Sequence, residues 1–337
     1  MWIPILLLAV GFVLLIKGGD WFVDGASGIA RRFNLPEILI GATVVSIGTT
    51  LPEVMVSAGA AFKGSGSIAY GNAIGSIICN TALILAITVS IKPGVAARKS
   101  MMLPVGFFFG AAAIYCFSAY VLGEFSRLIG IILLATFVTY MIMTVLKMKS
   151  APDIENASEA ELEAATGEDH VVESEKDGTK DSLLKDIILL IIGAAMIAFG
   201  ADLLVDNAIL IAESLGVSEK VIGLTIVALG TSLPELVTAI TALVKGHGSL
   251  SLGNIIGANL FNLVLVSGAA VTINPFEVPV SGLIGGINSS LVIDIPVMLA
   301  VMLILTVPTL FKQKLYRWQG ITLLGVYAAF CALQFMI

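Results

Sequence analysis

GATVVSIGTTLPEV (residues 41–54) returns 182 positions later as GLTIVALGTSLPEL (residues 223–236). The likeness runs without a gap through GNAIGSIICN, ending at Asn80, and GNIIGANLFN, ending at Asn262, with eighteen of the forty aligned positions identical. Each copy places a lone glutamate, Glu53 or Glu235, directly after a proline inside an apolar stretch. A carboxylate at membrane depth is costly, and it persists beside an ion pathway or a partner. No basic residue lies near either glutamate in sequence, so a cation is the partner these duplicated acids imply.

The composition sets the class. With 58% hydrophobic and 12% charged residues and apolar runs near twenty residues long, the chain reads as an all-α polytopic membrane protein. Ten transmembrane helices are expected, in windows 2–29, 38–62, 68–91, 102–120, 125–147, 184–212, 220–244, 250–272, 280–306 and 317–337. Placing both termini outside puts fourteen basic residues in cytoplasmic loops, against Lys63, Arg127 and Lys220 outside and Lys17 within a span. The positive-inside rule favours that orientation in a cell membrane. Five spans per half is odd, so the halves, 1–149 and 183–337, enter the bilayer in opposite senses as two inverted five-helix repeats. Transporters built this way bind their substrates near the midplane, at the repeat interface.

The repeat extends upstream, since Gly11, Gly18, Asp20 and Asp24 align with Gly193, Gly200, Asp202 and Asp206. Each half therefore carries an equivalent first helix, long enough to tilt and a candidate for the element that moves. The N-terminus lacks the features of a cleaved signal peptide, so the first span is expected to be retained. Cys79, Cys116 and Cys331 all fall in spans and offer neither a disulfide framework nor zinc spacing. Residues 150–182 hold eleven acidic and two basic residues and read as a solvated cytoplasmic linker between the halves.

Pro52 cannot donate to the Gly48 carbonyl, so the helix is expected to open around Ser46 to Thr50. Thr49 and Thr50 lie four and three residues before Glu53 and share its face. The second copy repeats the pattern with Ala228, Thr231, Ser232, Pro234 and Glu235. In the next span Asn72, Ser76 and Asn80 stack at a spacing of four; the copy reads Asn254, Ala258, Asn262. Carboxylates, amides, hydroxyls and carbonyls form an all-oxygen donor set suited to hard cations such as Ca²⁺ and Na⁺. Gly71, Gly75, Gly253 and Gly257 read as positions of close helix approach.

The paired GTTLPE and GTSLPE segments, each followed by GNxIG and a later asparagine, resemble the two α-repeats of the calcium/cation antiporter superfamily, most closely the Na⁺/Ca²⁺ exchangers. The resemblance implies a central site of Glu53, Asn80, Glu235 and Asn262. It implies flanking sodium ligands at Thr49, Thr50, Ser76 and the Ser46 carbonyl in one half, and at Thr231, Ser232 and the Ala228 carbonyl in the other. Asparagine at 262 is similar to the potassium-independent branch. Ala258 stands where some relatives place a sodium-ligating serine. Proton-coupled antiporters usually carry a glutamate in the GN motif, where this chain has Gly75 and Gly257.

The expected partners are thus Ca²⁺ and Na⁺ as transported ions and the lipid bilayer, with no organic cofactor and no nucleic acid. An antiporter exchanging Na⁺ for Ca²⁺ by alternating access, electrogenic and K⁺-independent, is the leading reading. Proton-driven Ca²⁺ exchange is its runner-up. A cation channel is the rival from another class, since acidic rings and carbonyls also build filters. No HExxH, catalytic aspartate pair or Ser/His arrangement supports an intramembrane enzyme. Asp20, Asp24, Asp202 and Asp206 read as cation-attracting groups at the cavity mouths, or as caps, partners of Lys17 or groups exposed at the interface. Asp294 reads as a helix-pair hydrogen-bonding group.

Overall fold

The computed structural model describes residues 2–149, 183–215, 230–280 and 282–336. The linker at 150–182, with His170, and the segment 216–229, with Ala228, lie outside the described residues. Among the described residues there are ten helices: α1 (Trp2–Arg32), α2 (Glu37–Phe62), α3 (Gly66–Ile91), α4 (Arg98–Leu122), α5 (Arg127–Lys149), α6 (Leu183–Ser214), α7 (Leu233–Val244), α8 (Gly248–Ile273), α9 (Ser290–Lys312) and α10 (Arg317–Met336). Eight are long and apolar enough to cross a bilayer. α7, of twelve residues, is the short one among the described helices.

The two halves are related by an inverted pseudo-two-fold, visible in contacts that occur twice with partners exchanged. A β-carbon built at Gly11 of α1 would lie 2.9 Å from the Gly200 carbonyl oxygen of α6, and one at Gly18 would lie 3.0 Å from that of Gly193. These are the two repeat-equivalent glycines swapped, so α1 and α6 run antiparallel, backbone against backbone. Gly130 of α5 meets Gly268 and Thr272 of α8, and Gly320 of α10 meets Ala86 and Ser90 of α3, the equivalent positions. Arg127 donates to the Thr272 and Ile273 carbonyls, and Arg317 to that of Ile91, the repeat counterpart of Ile273.

Connections obey the same symmetry. Strand β1 (Glu124–Phe125), after α4, pairs antiparallel with β2 (Phe276–Glu277), after α8. At the other end of α4, Val95 bridges Lys314, which follows α9. Gly123 and Gln313, the C-caps of α4 and α9, both take left-handed backbone, at φ 75° and 51°. These clasps join the halves through main-chain hydrogen bonds at both ends of the bundle.

The ninth span is shifted from the 280–306 window. Pro279, Gly282 and the turn Gly285–Gly286, with φ of 58° and 85°, direct residues 283–288 into a hairpin of β3 (Leu283–Ile284) and β4 (Ile287–Asn288), and the helix starts at Ser290. Its Asp294 accepts from the Gln334 amide at 2.7 Å, a helix-pair bond as expected.

Burial separates two bodies. In α8, 83% of the apolar window is buried, which places it at the bundle centre, whereas only 22% is buried in α1 and in α6. The main apolar core joins α3, α4, α5, α8 and α9. α1 and α6 share a separate core, containing Leu15, Phe22, Val23, Ile197 and Ala201, that rests on the edges of α2, α7 and α8.

Candidate ion-binding site

α2 and α8 meet along small residues. β-carbons at Gly253 and Gly257 would collide with Ile38 and Ala42, so these glycines permit the close approach expected of them. Gly71 and Gly75 meet no described atom within 4 Å; their symmetry-related partners fall in 220–228, outside the described residues. In this approach the Ser46 hydroxyl is shared between the Gly41 carbonyl at 2.7 Å and the Asn254 carbonyl at 2.9 Å. Thr49 donates to Asn254 Oδ1 at 3.2 Å. On the other side of α2, Asn72 donates to the Glu53 carbonyl at 3.1 Å and to Ser57 at 2.9 Å.

The expected opening at Ser46 to Thr50 is corrected. The chain stays α-helical from Ser46 to Phe62 through Pro52, and the irregularity lies upstream as a π-helical turn at Gly41–Val45. The widened turn absorbs the misfit, and Ser46 takes the Gly41 carbonyl it exposes. In the second copy the chain does break: Thr231 and Ser232 form a turn, and Pro234 sits in the first turn of α7, where its missing N–H costs nothing.

Asn80 and Asn262 each begin a π-helical turn, Asn80–Leu85 and Asn262–Val266. Such turns concentrate at functional sites because they re-aim side chains and expose carbonyls. The Asn262 turn packs on α2, which carries Glu53, and the Asn80 turn packs on α7, which carries Glu235. The helix of each glutamate is thus packed on the asparagine-bearing turn of the opposite repeat. Glu53 and Glu235 are within electrostatic range of each other, Thr49 lies beside Glu235, and Cys79 is within electrostatic range of it.

Glu53, Glu235, Asn80 and Asn262 are all fully buried, at 0% exposure. Among the described residues, both carboxylate oxygens of each glutamate and both polar atoms of each asparagine amide lack a hydrogen-bond partner. Thr50 Oγ1 and Ser232 Oγ share that state. Buried polar groups are nearly always paired, and buried charges need a counter-charge. The orphaned oxygens, contributed by both repeats, fit a ligand that takes oxygen donors and brings positive charge. Among the described residues, the ion pairs involve Arg32, Lys245 and His247 and none reaches these acids. Nor do three or more His, Cys, Asp or Glu side chains cluster as a resident metal site.

Ser76 is buried one turn before Asn80, and Thr231 is half-buried at the break before α7. The clamp formed by Asn254 on Ser46 and Thr49 was legible only as a duplicated asparagine. Asn259, which donates to Thr81 at 2.6 Å, gave no signal, because its copy is Ile77.

The sequence profile of the family described as Sodium/calcium exchanger protein matches residues 3–146 and 185–336. The sodium/calcium exchanger MaX1 of Methanosarcina acetivorans is 31% identical over 355 residues, covering 98% of this chain and 98% of its own. An uncharacterized membrane protein of Methanocaldococcus jannaschii is 36% identical over 327 residues, covering 94% and 93%. Among solved structures, the sodium-calcium exchanger NCX_Mj soaked with 10 mM Na⁺ and zero Ca²⁺ matches with a TM-score of 0.76 at 33% identity over 98% of both chains. The doubled glutamate motif, the ten-helix inverted fold and these matches agree: this chain is a multi-pass membrane cation exchanger and belongs to the sodium/calcium exchanger family.

Proposed function

We propose that the protein exchanges Na⁺ for Ca²⁺ by alternating access, electrogenically and without K⁺, using Glu53, Glu235, Asn80 and Asn262 as the shared central site. The observation that carries this reading is the set of fully buried, partnerless oxygens that the two repeats contribute together. Two ionised glutamates supply two negative charges, which one Ca²⁺ neutralises. Na⁺ ions compete for the same carboxylates, with Thr49, Thr50, Ser76, Thr231, Ser232 and the carbonyls of Ser46 and Ala228 as flanking ligands. Without either ion the carboxylates face the low-dielectric interior alone, and carrying them across in that state is too costly, so transport is an obligatory exchange. Movement of about three Na⁺ per Ca²⁺ transfers one net charge, worth about 2.3 kcal/mol per 100 mV. Asparagine rather than aspartate at 262 supports independence from K⁺. The charge distribution supports both termini outside, with halves 1–149 and 183–337 joined by a cytoplasmic linker at 150–182.

The test is ⁴⁵Ca²⁺ uptake into proteoliposomes loaded with Na⁺, with K⁺ or with a pH gradient alone. Uptake requiring internal Na⁺, insensitive to K⁺ and accelerated by inside-positive voltage, is expected. Glu53→Gln and Glu235→Gln should each abolish it. Uptake driven by the pH gradient alone would reassign the coupling ion, and persistent Na⁺-driven uptake in both variants would refute the site.

A further inference from the structure

Lys245, at the C-terminal end of α7, reaches across to α1. Its Nζ lies 2.7 Å from Asp24 Oδ1 and 3.5 Å from Asp20 Oδ1, and donates to the Asp20 carbonyl at 3.0 Å. The aspartates therefore pair with Lys245 of the other half, not with Lys17. All three members of this cluster have repeat counterparts at the same offset: Lys63 at the end of α2, and Asp202 and Asp206 on α6. There the contact is absent. Among the described residues, Lys63, Asp202 and Asp206 make no ion pair, and all three are exposed.

The backbone beneath the two clusters differs in the same sense. A β-carbon at Gly19 would lie 2.7 Å from Val237 and 2.8 Å from Thr241, so α1 is pressed onto α7. The counterpart of Thr241 is Gly59, and a β-carbon there meets no described atom within 4 Å. α2 and α6 are therefore parted where α7 and α1 are closed. The α1/α6 pair is joined glycine to glycine, and the apolar cluster at its contact with α2, α7 and α8 is separate from the main core of the bundle.

We propose that Lys245 and Lys63 are the two latches of one reciprocal gate. The structure holds the Lys245 latch shut on Asp20 and Asp24, and a displacement of the α1/α6 pair opens it while bringing Asp202 and Asp206 onto Lys63. The same three charges then close the opposite face. The ion site would be reached from the Lys63 face in the present state and from the Lys245 face in the other. This gate rests on transport by exchange but on no choice of coupling ion.

The contact is read directly by cross-linking. In full-length protein carrying Cys116→Ser and Cys331→Ser and a protease site within 150–182, two cysteine pairs are compared: Asp24→Cys with Lys245→Cys, and Lys63→Cys with Asp206→Cys. A reducible bis-methanethiosulfonate linker of about 8 Å is used, because cysteines whose α-carbons are further apart than about 7 Å do not form a disulfide. Cleavage then separates the halves on a denaturing gel unless the linker joins them. Both pairs are expected to link in protein supplied with Na⁺ and Ca²⁺, and each link should stop uptake until it is reduced. Failure of the Lys63 pair where the Lys245 pair links, failure of both, or unimpeded uptake by linked protein would overturn the gate. Whichever ion drives uptake, the gel result stands by itself. As an independent readout, Lys63→Glu should lower exchange about two- to fivefold, the worth of a part-exposed ion pair, and Asp206→Lys should restore it. An idle surface lysine would show neither effect.

Discussion

The Thr49 hydroxyl of the first repeat donates to the side-chain carbonyl of Asn254 in the second, 205 positions away, at 3.2 Å. Ser46 leans on the same residue, through its main-chain carbonyl at 2.9 Å. Asn254 thereby holds the Thr49 hydroxyl from the opposite repeat, beside the Glu235 carboxylate. Asn254→Leu should remove this contact and strand the buried Thr49 hydroxyl, while Ser46 keeps its main-chain partners. Losing such a bond costs about 1–3 kcal/mol, so Ca²⁺ uptake at sub-saturating Ca²⁺ should fall about tenfold or more. Uptake within twofold of the parent protein would show that the clamp does not position Thr49.

Ion binding should stabilise the fold. A ligand held only by the native state adds about 2.7 kcal/mol at a hundred times its Kd. Ca²⁺ is expected to raise the melting temperature of the purified protein, and a chelator to lower it. In Glu53→Gln and Glu235→Gln the Ca²⁺-dependent rise should vanish, because neutralising the carboxylate both removes a ligand and relieves the buried charge. A rise of equal size in the variants would place the stabilising ion elsewhere.

The π-helical turns at Asn80–Leu85 and Asn262–Val266 test the site's geometry apart from its chemistry. Such a turn is a one-residue insertion in an α-helix, so deleting Ile84 or Val264 restores α-geometry without altering the register of the flanks. The deletion variants should stay monodisperse and lose uptake about tenfold or more, because the asparagine is re-aimed and the carbonyl opening closes. Retained uptake would make the turns a packing detail.

The glycine crossing of α1 and α6 sets a steric limit. A β-carbon at Gly193 would lie 2.5 Å from the Phe22 nitrogen and 2.8 Å from the Gly18 carbonyl oxygen, both rigid main chain. Gly193→Leu should cost about 1–3 kcal/mol through overpacking and lower the melting temperature. Gly325→Ala, where the added carbon meets nothing within 4 Å, should stay within about 0.5 kcal/mol of the parent.

Much of this was legible in the sequence, and what was not has identifiable causes. Long apolar runs define a span whatever surrounds them, so eight of the ten windows coincide with helices, and the seventh, 220–244, holds α7 in the part that is described. The ninth was drawn too early because the stretch from Val280 to Asn288 is apolar enough to pass as membrane helix. Its glycines and proline outweigh hydropathy there. Glu53, Glu235, Asn80 and Asn262 stood out because duplication marks positions that packing alone does not require. The π-helical turns were invisible, since one inserted residue hardly disturbs an apolar pattern. Asp20 looked like a partner for Lys17 three residues away. Only the meeting of α1 with α7 shows that Lys245 takes it, because the register between repeats is written in no local spacing.

The strand pair β1–β2 and the Val95–Lys314 bridge stitch the same group of helices at top and bottom. A frame sewn at both rims cannot part like two hands, and whatever opens a path to Glu53 and Glu235 must leave that seam intact. The freedom that remains belongs to the unstitched pair. In the proposed gate the vessel stays still, and a shutter of two helices travels across it.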